Sequence, residues 1–177
     1  MLALPRGGVA VGFEIAEGLD PPLEIVLVRK IGVPWQPELA LGAVVDGANP
    51  QVLINDILAA ELAIDQNYIT SETARQLEEI ERRRKVYLGD RTPLPLAGRT
   101  VIVVDDGIAT GSTVRTALRA IARTGAGKIV LAVPVAPEDA LEELRKEVDE
   151  IIYLSTRARF SPSERITRNL DSVRTPR

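Results

Sequence analysis

The chain has 177 residues, 45% hydrophobic and 27% charged, the balance of one soluble globular domain with a sizeable core. Its formal charge of −3 offers no basic field for nucleic acid. It contains neither cysteine nor histidine, so disulfides, thiolate chemistry, imidazole bases, Ser-His triads and His-ligated zinc are excluded. Carboxylates, Lys, Arg, hydroxyls, backbone amides or a hard metal must carry any catalysis. No apolar run approaches the ~20 residues that span a bilayer, and the first residues do not read as a secretion signal, so a cytoplasmic protein without membrane partners is expected.

Met1 to Leu4 read as a first strand, entering Pro5-Arg6-Gly7-Gly8. Val9, Val11, Phe13, Ile15 and Ala16 then predict a short helix stopped by Gly18. Arg6-Gly7-Gly8 allows two readings, a plain strand-to-helix turn or a backbone that approaches an anion while Arg6 supplies charge. After Pro21-Pro22, Ile25 to Val28 predict a second buried strand ended by Arg29-Lys30. Two cations there sit where open α/β sheets bind ligands.

Residues 31–42, with Gly32, Pro34, Trp35, Pro37 and Gly42, read as a mobile loop whose only acid is Glu38. Ala43 to Asp46 and Gln51 to Ile54 predict a small hairpin, and Asn55 or Asp56 caps a short helix through Ile64. Thr70 to Tyr87 predict a helix with Ser71 as N-cap and Leu77 and Ile80 on its apolar side. Glu78–Arg82, Glu79–Arg83 and Glu81–Lys85 are spaced as helical ion pairs, so the run Arg82 to Lys85 reads as a solvated face.

Residues 100–113 carry the most chemistry. Val101 to Val104 form a β-branched run that ends in Asp105 and Asp106. A loop with Gly107, Thr110, Gly111, Ser112 and Thr113 leads into a helix marked by Val114, Ala117, Leu118 and Ile121, with Gly125 as its stop. Amides and hydroxyls at a helix N-terminus suit a phosphate. Carboxylates suit ribose hydroxyls, a metal ion or a developing cation. A sugar phosphate satisfies both.

Lys128 to Pro134 predict a buried strand, Pro137 a helix bearing Leu141, Leu144 and Val148, and Ile151 to Leu154 a last strand. The order β-α-β, insertion, β-α-β-α-β predicts an α/β fold with a parallel, doubly wound sheet. Residues 31–90 would form a partly helical cap at its C-terminal edge. The domain spans residues 1–155, and the arginine-rich stretch 156–177 is expected to be a loosely ordered tail.

Pro5-Arg6-Gly7-Gly8, then Val28-Arg29-Lys30-x-Gly, then the stretch from Val101 to Thr113 resemble, in that order, the type I phosphoribosyltransferases. More narrowly, they resemble a bacterial branch with no assigned base. The resemblance covers about residues 1–155 and implies that fold, Mg²⁺, and 5-phosphoribosyl 1-pyrophosphate as substrate. It implies that Asp105 and Asp106 hold the ribose hydroxyls, directly or through metal. Gly107, Ile108, Ala109, Thr110, Gly111, Ser112 and Thr113 would form the 5-phosphate loop, and Arg6, Gly7 and Gly8 the pyrophosphate loop. Arg29 and Lys30 would contact pyrophosphate or the site of a neighbouring subunit, because family members are commonly homodimers.

The implied activity is transfer to a nucleobase-like acceptor, with Asp105, Asp106, Arg6 and Lys30 acting on the reacting groups and Glu38 as candidate proton handler. The alternative is a non-catalytic sensor of the sugar pyrophosphate. Ala109 replaces the Asp of 6-oxopurine members, which disfavours hypoxanthine and guanine. The family's helix before the first strand is missing, and Phe160-Ser-Pro-Ser-Glu stands where relatives carry an aromatic-rich segment. A misplaced start and a frameshifted tail are therefore expected.

Overall fold

The computed structural model describes residues 1–157. In chain order its elements begin with β1 (Leu2–Ala3), α1 (Gly7–Leu19), β2 (Glu24–Ile25), β3 (Val28–Val33), β4 (Gln36–Val45) and β5 (Gln51–Ile54). They continue with α2 (Asp56–Glu61), α3 (Gln66–Leu88), β6 (Thr100–Val104), α4 (Ser112–Ala122), β7 (Lys128–Pro137), α5 (Glu138–Leu144) and β8 (Glu150–Arg157). Thr156 and Arg157 thus finish a strand, and the rest of the expected tail lies outside the described residues.

The main sheet has the order β2-β1-β6-β7-β8, and every pairing in it is parallel. Side chains alternate across a strand, so each face takes its own partners. Val101, Val103, Ile129, Leu131 and Val133 enter one core with Val114, Leu118 and Ile121 of α4 and Leu141 and Leu144 of α5. On the other face α1 crosses so closely that a Cβ on Gly12 would lie 3.1 Å from the Ala3 side chain. The expected parallel, doubly wound α/β fold is therefore present.

The insertion is more ordered than its composition predicts. β3, β4 and β5 form a separate antiparallel sheet. Leu27, Ile31, Val33, Leu41 and Val44 bury a second core against Ile69 and Ile80 of α3. Residues 31–42 are thus the arms of a hairpin turning at Pro34-Trp35, not a mobile loop. The pairing shifts register at Gly32, where a Cβ would lie 2.5 Å from the Pro37 carbonyl oxygen. A bulge at a residue without a side chain lets a proline-bearing strand pair, which overrides the breaker signal. For the same reason Arg29 and Lys30 lie inside β3 and do not end a strand of the main sheet.

The predicted hairpin across residues 47–50 is present, with Val45 opposite Gln51. Asn55 caps α2 by accepting from the Leu58 amide at 3.1 Å. α3 starts earlier than its charge pattern predicts. Asp65 caps it by accepting from the Asn67 amide at 2.9 Å, while the Ser71 hydroxyl donates back to the Tyr68 carbonyl inside the helix. α1 likewise runs past Gly18 and closes on Asp20, whose φ of 54° is one that aspartate tolerates.

Candidate active site

Three segments meet at the C-terminal end of β6. The first is the strand's own exit. Val104 is fully buried, and its carbonyl accepts from the Leu4 amide at 2.8 Å, so the exits of β1 and β6 are tied together. The next two residues are Asp105 and Asp106. The Asp106 amide donates to Asp105 Oδ1 at 2.9 Å. Neither carboxylate has an ion-pair partner among the described residues. Burial first, then the adjoining Asp106, push the Asp105 carboxyl up to about 7, although the amide hydrogen bond opposes this.

The second segment is Arg6-Gly7-Gly8, which opens α1. The Pro5–Arg6 peptide bond is cis. A Cβ on Gly7 would lie 1.8 Å from Asp106 Oδ2, and one on Gly8 would lie 2.7 Å from the Val104 carbonyl oxygen and 2.9 Å from the Asp105 Cα. The two glycines therefore serve a purpose that the sequence does not reveal. They let the first turn of α1 lie directly against the two acids.

Their replacements should behave differently. Gly8→Ala meets the rigid backbone of Val104 and Asp105, and we expect it to destabilise the fold by about 2 kcal/mol, measured by chemical denaturation. Gly7→Ala meets only a carboxylate that can swing aside, so it should keep most of the stability while displacing Asp106. An equal loss of stability in both variants would contradict this difference.

The third segment is the loop from Gly107 to Thr113. Ile108 is 5% exposed, packs into the main core and donates its amide to the Val135 carbonyl at 3.0 Å. Ile108 is thus the loop's anchor. Ala109, Thr110, Ser112 and Thr113 stay exposed, and Gly111, with a φ of 72°, turns the chain into α4. Among the described residues the amides of Ala109, Thr110, Gly111 and Thr113 donate to no protein acceptor, and that of Ser112 only reaches Thr110 Oγ1 at 3.5 Å. Unpaired amides at a helix start form an anion cradle. Thr110 and Ser112 also open onto a groove of roughly 880 Å³ between α4 and the β4–β5 hairpin.

The other expected site residues lie in the cap. Arg29 donates from Nε to Gln76 Oε1 at 2.9 Å, and Gln76 is almost wholly buried. Lys30 pairs with Glu38 across the hairpin at 3.0 Å. The structure therefore joins two residues that the sequence nominated for separate tasks.

The structure also adds cations that the sequence left on a solvated face. Arg82 and Arg83 of α3 line a recess of roughly 520 Å³ with Pro5, Arg6, Leu27, Val86 and Tyr87. The spacing of charges along α3 holds no sign of this, because it depends on how the helix seats on the cap sheet.

A parallel sheet whose central strand exits into two acids, a glycine turn and a loop of unpaired amides is the arrangement that accompanies the family likeness. The chain belongs to the phosphoribosyl transferase domain family, whose model matches residues 1–160. It is 42% identical over 160 residues to "Putative phosphoribosyl transferase Rv0571c" of Mycobacterium tuberculosis H37Rv, and equally so to "Putative phosphoribosyl transferase MT0597" of strain CDC 1551. Each match covers 90% of this chain and 36% of the relative, so the chain spans about a third of their length. Among solved structures it is similar to TT1426 from Thermus thermophilus, at 41% identity and a TM-score of 0.75, covering 90% of this chain and 74% of that one. Among the described residues no helix is long and apolar enough to cross a membrane.

Proposed function

We propose that this domain transfers the 5-phosphoribosyl group from 5-phosphoribosyl 1-pyrophosphate to a nucleobase-like acceptor and releases pyrophosphate. The observation that supports this best is the meeting of unpaired loop amides, adjacent carboxylates and the Arg6-Gly7-Gly8 turn at one strand exit. The amides from Ala109 to Thr113 and the hydroxyls of Thr110, Ser112 and Thr113 take the 5-phosphate. Asp105 and Asp106 accept from the ribose hydroxyls.

The bond from ribose C1 to the pyrophosphate oxygen breaks, and its electron pair leaves with pyrophosphate. The resulting ribosyl cation is stabilised by the nearby carboxylates and captured by a ring nitrogen of the acceptor, which gives up its proton. Arg6 holds the departing charge. No protein nucleophile is required, in keeping with a chain that has no Cys or His.

Two adjacent carboxylates without an ion-pair partner are a donor set that Mg²⁺ accepts, because this ion commonly takes one or two carboxylates plus substrate phosphates. When bound at Asp105 and Asp106 it would supply charge neutralisation to the leaving group. For Lys30 to reach pyrophosphate, or Glu38 to take the acceptor's proton, their mutual ion pair must open.

The test is a panel of nucleobases incubated with the sugar pyrophosphate and Mg²⁺, read by pyrophosphate release. Release with at least one base is the expected result. Saturable binding of the sugar pyrophosphate with no turnover on any base would replace the enzyme by a sensor.

A further inference from the structure

Arg6 alone is a weak holder for a leaving group that carries several negative charges, and neither Arg29 nor Lys30 lines the recess beside it. Arg29 is hydrogen-bonded to Gln76, and Lys30 is paired with Glu38. The recess beside Arg6 instead receives Arg82 and Arg83 from α3, and Leu27, Val86 and Tyr87 line it with them.

We infer that Arg82 and Arg83 of the cap helix, together with Arg6, form the pocket that holds the pyrophosphate end of the substrate, an inference that rests on the function proposed above. Neighbouring residues on a helix diverge by about 100° around its axis, so two successive arginines do not normally share a target. Glu79 gathers them. Its carboxylate accepts from Arg82 Nε at 2.7 Å and from Arg83 Nε at 2.6 Å, and Arg82 adds a second bond at 3.0 Å. One acid one turn earlier thus ties both guanidinium groups to the same side and offsets their repulsion.

Among the described residues Arg83 uses only Nε on Glu79, which leaves its two terminal nitrogens for a ligand. Guanidinium forks match phosphate oxygens two at a time. Arg6, Arg82 and Arg83 against Glu79 leave a surplus of two positive charges. That surplus lies beside Arg6, whose chain neighbour Gly7 lies against the Asp106 carboxylate. The charge order from cradle to recess, amides, acids, then arginines, matches phosphate, ribose hydroxyls and pyrophosphate. Glu79 is a positioning residue in this scheme.

The experiment compares the parent chain with R82Q/R83Q in titrations with two ligands, Mg-pyrophosphate and ribose 5-phosphate. Ribose 5-phosphate lacks the pyrophosphate end and reports on the cradle alone. The expected result is that R82Q/R83Q binds Mg-pyrophosphate at least about tenfold more weakly, as loss of charge-assisted hydrogen bonds requires, and keeps parental affinity for ribose 5-phosphate. E79Q should show a smaller loss on the same ligand. Unchanged Mg-pyrophosphate affinity in R82Q/R83Q overturns the inference while leaving the proposed function standing. Equal losses on both ligands overturn it as well, because they report general damage. A parent chain that fails to bind ribose 5-phosphate counts against the proposed function itself. Should the double variant not fold, R82Q alone carries the test, since that side chain is 65% exposed and its removal leaves no cavity.

Discussion

A chain in which Asp105 and Asp106 are both replaced by Asn is expected to lose turnover by at least about a thousandfold and yet to melt at a higher temperature than the parent. Both effects come from one arrangement. The two carboxylates are adjacent, no cation among the described residues pairs with either, and burial pushes Asp105 well above the usual carboxylate range. Two like charges held together where water is partly excluded oppose folding whenever both are ionised. Asparagine keeps the shape and the acceptor oxygen and removes the repulsion.

In the proposed reaction the same replacement removes the negative charge that faces the ribosyl cation, so stability should rise as chemistry fails. Because the folded carboxyl of Asp105 sits above its unfolded value, its cost is absent in acid, grows as pH rises to about 7 and levels off above that. The gain in melting temperature should accordingly be larger at mildly alkaline than at mildly acidic pH. Thermal melts and pyrophosphate release on one preparation check both halves. Parental turnover in the double variant would remove the acids from the mechanism.

The main sheet and the strand exit that carries the candidate site were legible in the sequence because they depend on short-range signals. Val101 to Val104 are β-branched and bounded by acids and glycines, and Asp105 to Thr113 follow one another without a gap. A strand exit and a helix start are neighbours along the chain, so their chemistry reads directly. The cap was harder. Gly32, Pro34 and Pro37 signal a loop when read alone, and only the bulge that seats Pro37 against Gly32 turns that stretch into paired strands. Tertiary pairing there overrode local preference.

The same holds for charged residues. Arg29, Lys30 and Glu38 were recognised as chemically able groups, but which acid or amide each one meets depends on hairpin register. Lys30 stands opposite Ala43, and its side chain reaches Glu38. The four cations from Arg82 to Lys85 look alike in sequence and have three different surroundings. Arg82 and Arg83 share Glu79 beside Arg6, Lys85 pairs with Glu81 at 3.5 Å on the open face, and Arg84 is half-buried against Asp46.

Arg84→Met is therefore expected to destabilise the fold at neutral pH by about 3 kcal/mol, far more than loss of an exposed helical ion pair. Arg84 Nη1 lies 2.8 Å from Asp46 Oδ2, with side chains 16% and 4% exposed, and the pair ties α3 to the end of β4. Removing the cation leaves a carboxylate out of water with, among the described residues, only the Gly47 amide, at 2.8 Å, as partner. Burial already raises the Asp46 carboxyl despite Arg84 and that amide, which both pull it down. Without Arg84 it must rise further.

A carboxyl raised in the folded state costs nothing while protonated and begins to cost stability as pH climbs from its unfolded value through its folded one. The gap between parent and variant should thus be widest near neutrality and should narrow on acidification. Urea titrations at neutral and at mildly acidic pH measure this directly. The second variant, D46N/R84M, should recover most of the loss, because an amide needs no counter-charge. A penalty that is the same at both pH values and is not relieved by D46N would mean that Arg84 acts through packing of its stem, not through its charge.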